Sequence, residues 1–299
     1  MKTNRGSVNR REFFKIGTGA AAAGLFGTGA AHGGEKPAEP TSRVVLIREQ
    51  AVVSDEGALD GEMLHSMLNR AMMSLLEAKS PEDAWKKVVN PDDVVGIKTN
   101  VWSSLRTPPE LEGAIRSEVI KVGVKPGDVA VDDRGVLKNP VFQRATALIN
   151  TRPLRTHNWS GLGTCLKNLI MFVPRPPEYH ADSCAPLGAM WKLPELEGKV
   201  KLNILVMLTP QFHGVGPHSF SKEYVWPYKG LIVGVDPVAV DATGARILQA
   251  KRDLYFGKPT PISPPAHHIE IAGSRYGLGV SDPAAIDLVR LGWQDEALI

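Results

Sequence analysis

"GLIVGVDPVAVDATGARIL", residues 230–248, changes its periodicity partway through, and that change decides the fold class. Gly230 to Val235 is a short apolar, β-branched run of strand length. Asp236 and Pro237 then carry a helix-start signature: a carboxylate that can accept the first free amide hydrogens, and a ring whose φ already suits the first helical position. Beyond them, Val238, Asp241, Ala245 and Leu248 recur at spacings of three and four, which places them on one helical stripe facing the sheet.

The same alternation runs through the chain. "RVVLIR" (43–48), "DVVGIKT" (93–99), "DVAVDD" (128–133) and "KLNILVML" (201–208) are bounded apolar runs with the look of buried strands. Between them, Leu64, Met67, Leu68, Ala71, Met72, Leu75 and Leu76 form one helical stripe, and Leu111, Ile115 and Val119 begin another. Methionine-rich stripes of this kind are packing surfaces. Strands separated by helices predict an α/β fold: a mostly parallel sheet covered by helices on both faces, three layers in all. The predicted domain spans 43–299, with residues 32–42, "HGGEKPAEPTS", as a polar linker before it.

The first 31 residues read as an address label. Arg10 and Arg11 precede Phe13, Phe14 and Lys15, then a glycine-interrupted apolar run from Ile16 that ends in small residues at Ala31. This order resembles a twin-arginine export signal, which predicts the twin-arginine translocase and signal peptidase as partners and a periplasmic or otherwise exported location. The run is too short and too rich in glycine for a stable membrane span, and no later stretch is long enough for one. Removing the label's five basic residues and one acidic residue from totals of 35 and 32 leaves 30 basic against 31 acidic. A near-neutral body gives no electrostatic basis for nucleic acid as a partner. Two cysteines, Cys165 and Cys184, are too few for a four-thiolate iron–sulfur cluster and are expected as free thiols.

In a sheet of this type, ligands bind beyond the carboxyl ends of the strands. Lys98 and Asn100 leave one strand there, and Asp133 and Arg134 leave another. Lys98, Arg134, His157 and Lys167 can line a cationic site for a carboxylate or phosphate, with Asn100 and Asn168 orienting it. Alternatively, Asp133, His180 and Asp241 can hold a divalent metal, joined by Cys184 if the segment is helical, since His180 and Cys184 are four residues apart. Asp241, on a buried stripe, requires a cationic partner or donors, and Lys98 is one candidate; a site role and a buried structural ion pair both satisfy this. Each of the other groups also has a plain reading as strand-end punctuation or local hydrogen bonding. "HHIE" (267–270) is expected to be an exposed helical turn.

The ordered set "IKTN", "DDRG", "LINTRPLRTHNWSGLGTCLKN", "YHADSC" and "GVDPVAVDATGARIL", behind a twin-arginine signal, resembles the exported branch of the family called domain of unknown function 362. The similarity runs over about residues 43–282. It implies one α/β domain and marks Lys98, Asn100, Asp133, Arg134, His157, Lys167, Asn168, His180, Cys184, Asp236 and Asp241. Relatives carry an acidic residue after the strand equivalent to "NILVML", where this chain has Met207, Leu208 and Thr209. The family supplies no reaction. Two functions of different class are therefore expected: an exported enzyme or redox-associated protein with a metal or anionic ligand at the strand ends, or a non-catalytic binding protein for a small anion or metal.

Overall fold

The structure, a computed structural model, describes residues 42–214, 216 and 220–299. The signal segment and nearly all of the linker lie outside the described residues. Eight strands form one mixed sheet: β1 (Ser42–Arg48), β2 (Val95–Lys98), β3 (Val129–Asp132), β4 (Ala147–His157), β5 (Gly161–Gly163), β6 (Val200–Gln211), β7 (Gly230–Gly234) and β8 (Ile286–Gly292). Their order is β3-β2-β4-β6-β7-β1-β8, with β5 paired to β4. The helices are α1 (Gly61–Leu75), α2 (Pro81–Lys86), α3 (Pro109–Lys121), α4 (Pro140–Gln143), α5 (Cys165–Asn168), α6 (Ala181–Cys184), α7 (Leu187–Met190), α8 (Pro237–Phe256) and α9 (His267–Ser274).

The period of two along the strands divides the core. In β1, Val45 and Ile47 face one apolar layer with the α1 stripe, Trp85 of α2, and Leu111 and Ile115 of α3. Val44 and Leu46 face the other layer, built with α5, α7, α8 and α9. The result is the three-layer α/β arrangement that the alternating pattern predicts.

β3, β2, β4 and β6 run parallel, as do β1 and β8. The exceptions are β5, antiparallel to β4, and the opening stretch. β7 is antiparallel to both β6 and β1. Asp236 therefore leaves the sheet where β6 begins, not where it ends. It caps α8 as expected, accepting from the N–H of Val238 and Ala239 at 2.8 and 2.9 Å.

β4 is the longest wholly buried element and was not legible from periodicity. Beyond Asn150 it outruns β2, and its pairing with β6 shifts between Pro153 and Arg155. That irregularity accommodates a proline without an amide hydrogen and reverses the facing of the residues after it. Arg152, Arg155 and His157 consequently reach one cavity, although a regular strand would send 152 and 155 to opposite faces.

Among the described residues no helix is long and apolar enough to cross a membrane. Both cysteines are buried free thiols.

A cationic cavity at the strand ends

A row of asparagines fixes the floor of the site. Lys98, Asn150 and Asn203 lie side by side across β2, β4 and β6. The Asn150 amide donates to Asn203 at 3.0 Å and to the carbonyl of Cys165 at 2.9 Å, while Asn168 donates to Asn150 at 2.8 Å and to the Thr151 carbonyl at 3.1 Å. These bonds dock the short α5 on the sheet, so Lys167 and Asn168 are held rigidly. Asp241 completes the anchor from the other side. Its two oxygens accept the N–H groups of Cys165 and Leu166 at 2.9 and 2.8 Å. Burial pushes its carboxyl up to about 7 against the pull of those donors.

Asp241 is thus a positioning group beneath α5, and Lys98 is not its partner. Lys98 pairs with Asp133 at 2.5 Å and also donates to the Thr99 carbonyl at 2.7 Å. Burial lowers the Lys98 ammonium to about 8 despite that pair. Burial also pushes the Asp133 carboxyl up, but Lys98 and the Val101 N–H more than reverse this and leave it below its ordinary value.

Above this floor opens a cavity of about 280 Å³. Of the residues expected from sequence, Asn100, Asp133, Arg134, His157, Lys167, Asn168 and His180 line it, with Arg134 exposed at the rim. Lys98 lies behind Asp133, Cys184 lies beside Lys167, and Asp241 lies below α5. Asp236 is structural.

Two cations that sequence reasoning missed dominate the wall. Arg152 and Arg155 are each 3% exposed, and the Nε of each lacks a hydrogen-bond partner among the described residues. Arg155 donates to Asn100 Oδ1 at 3.2 Å and lies 4.2 Å over the Trp102 ring. Arg152 reaches the Thr164 carbonyl at 3.5 Å. Gly163 makes room for it, since a Cβ there would lie 2.5 Å from the guanidinium. Burial lowers Arg152 to about 10; burial together with Arg152 lowers Arg155 to about 8, and both stay charged at pH 7. The sequence signal for them was "TRPLR", two arginines inside an otherwise apolar, strand-length segment.

Lys167 is equally buried, and its ammonium meets the Cys184 thiol but no oxygen or nitrogen acceptor among the described residues. Burial lowers it to about 8; the neighbouring Cys184 thiol opposes this, and Arg152 and Arg155 add to it. His157 is held neutral by burial and by the adjacent cations. Its Nδ1 accepts the Trp159 N–H at 3.2 Å, which puts its proton on Nε2. His180 stacks on Trp159, centroids 4.1 Å apart, and burial lowers it to about 4.

The four metal candidates are not gathered. Among the described residues no three His, Cys, Asp or Glu side chains are placed to hold an ion. Asp133 is committed to Lys98, Asp241 to α5, and His180 to Trp159. Nor do His180 and Cys184 share a helical face: Asp182, Ser183 and Cys184 all have left-handed φ, at 46°, 50° and 68°, so the i to i+4 relation fails. "HHIE" is helical as expected, opening α9, but only His267 and Glu270 are exposed, while His268 and Ile269 are buried.

The sequence model of the family described as domain of unknown function (DUF362) matches residues 110–246, which include the end of β3, all of β4 and α5, and Asp241. No curated protein and no solved structure compared with the chain matches it.

Proposed function

From a chain whose residues 110–246 belong to the DUF362 family, we propose that the protein is exported by the twin-arginine route and binds a small, multiply charged organic anion at the strand ends. One observation supports this above the rest. Arg152, Arg155 and Lys167 are almost wholly buried in one wall, while the carboxylate lining the same cavity, Asp133, is already taken by Lys98. Burying a cation without an anion costs several kcal/mol per charge. A fold that retains three of them around an open cavity has left their compensation to a ligand. Two carboxylates or a phosphate suit this, since each guanidinium presents paired donors, and Asn100 and the His157 Nε2–H supply neutral donors for orientation.

Thermal unfolding with added glutarate, inorganic phosphate and a neutral diamide tests the binding. At a hundredfold excess over Kd the anion should add about 2.7 kcal/mol, roughly 5–10 °C for a domain of this size, and the diamide nothing. Arg155→Met should raise the melting temperature of the free protein and abolish the anion's effect. Equal stabilisation of wild type and variant would refute the site. For export, Arg10→Lys with Arg11→Lys should leave precursor in the cytoplasm, and normal export of the double variant would remove that part of the proposal.

A further inference from the structure

Resting on the anion reading, we infer that the ligand is a 2-oxo acid and that Lys167 captures its carbonyl carbon as an imine, while Arg152 and Arg155 hold carboxylate. The surroundings of Lys167 separate it from the other lysine of the site. Lys98 is saturated by Asp133 and the Thr99 carbonyl. Lys167 is 3% exposed, lines the cavity, and its Nζ meets the Cys184 thiol but no oxygen or nitrogen acceptor among the described residues. The groups that act on it are two guanidiniums and the Cys184 thiol, and it in turn acts on His157, His180 and His268. All three histidines are driven neutral, by burial first. An amine that is desolvated and set beside fixed cations is held in its nucleophilic, uncharged form over a larger fraction of molecules, which is how a lysine becomes reactive toward carbonyls near neutral pH.

The position is also rigid. The asparagine ladder and the Asp241 anchor fix α5, so Lys167 meets a carboxylate-bound substrate without searching for it.

The step balances without an oxidant or reductant. The nitrogen lone pair forms a bond to the carbonyl carbon, and the carbonyl π pair moves to oxygen, which takes a proton. The resulting carbinolamine loses that oxygen as water with a proton from nitrogen, leaving C=N. Amine and ketone become imine and water. The Nε2–H of His157 is a neutral donor in the same cavity, suited to hydrogen-bond the oxygen as charge develops on it.

The test uses the mature protein with 2-oxoglutarate and sodium cyanoborohydride, followed by intact-mass and peptide measurement. The expected product is one adduct per chain, heavier by the acid less one oxygen atom, on Lys167. Excess glutarate, which has the carboxylates but no ketone, should suppress it at least tenfold. Lys167→Arg, which keeps a positive charge but no primary amine, should lose the adduct whatever its glutarate affinity. Glutarate and 2-oxoglutarate binding without any adduct would overturn the imine and leave the anion site standing. An adduct spread over surface lysines, unchanged by glutarate or by Lys167→Arg, would also overturn it. No binding of either acid would remove the anion reading itself, and this inference with it.

Discussion

Replacing Asp133 by asparagine keeps the shape of the cavity wall and removes its carboxylate. Lys98 is fully buried, and Asp133 is its ion-pair partner. Stranding one member of a buried pair costs about 3–5 kcal/mol. For a domain of this size that is a fall of roughly 6–20 °C in melting temperature. The loss should depend on pH in a defined direction. A lysine whose folded value lies below its unfolded 10.5 destabilises the fold most at low pH, and that penalty disappears as pH rises through the window between the two values. In the wild type the window runs from about 8 to 10.5. Without Asp133 the lower edge moves further down, so Asp133→Asn should regain stability between pH 6 and 8, below the wild-type window. Adding Lys98→Met to the variant removes the stranded charge and should recover most of the loss. Urea unfolding of the four proteins of this cycle at pH 6, 7.5 and 9 measures each quantity. A loss below about 1 kcal/mol, the value of an exposed pair, or a double variant no better than Asp133→Asn alone, would refute the buried-pair reasoning.

Asp241→Asn leaves a single oxygen for two amide hydrogens, so one N–H of α5 goes unpaired at a cost of about 1–3 kcal/mol. Because the folded carboxyl is raised to about 7, the wild type loses stability from this group as pH climbs from its ordinary value toward 7; the variant should lack that slope in pH-dependent unfolding, and an unchanged slope would assign it elsewhere. Gly163→Ala puts a Cβ against the end of the Arg152 side chain, 2.5 Å away, and a flexible side chain yields easily. Its melting temperature should move by under about 3 °C, in line with a change near 1 kcal/mol, while glutarate affinity falls at least tenfold by calorimetry; unaltered affinity would mean that Arg152 does not touch the ligand.

The strands β1, β2, β3, β6 and β7 and the stripes of α1 and α3 were legible because each buries an apolar face at a fixed period. β4 was not, because its second half carries Arg152, Pro153 and Arg155, residue types that a period-two reading rejects. The same cause hid the strongest cations of the site: only the register shift after Pro153 brings them to one side. Asn100, Asp133, Lys167 and Asn168 were legible as polar groups at strand ends or on a short helix, but their pairing was not. Whether Lys98 meets Asp133 or Asp241 depends on strand order, and sequence does not encode that locally. His180 and Cys184 would share a face only on a helix, and that condition fails where the backbone turns left-handed.

Calorimetric titration of the mature protein with glutarate at pH 8, in two buffers of different ionisation enthalpy, tests the cationic site most directly. Glutarate is fully ionised at that pH, so any proton linkage belongs to the protein. With Lys167 and Arg155 both lowered to about 8 in the free protein, an anion beside them should raise them again and draw in up to roughly one proton per site. One site per chain, proton uptake, and affinity that falls as salt is added are expected. Absence of binding by any dianion, or binding accompanied by proton release, would contradict the cationic site.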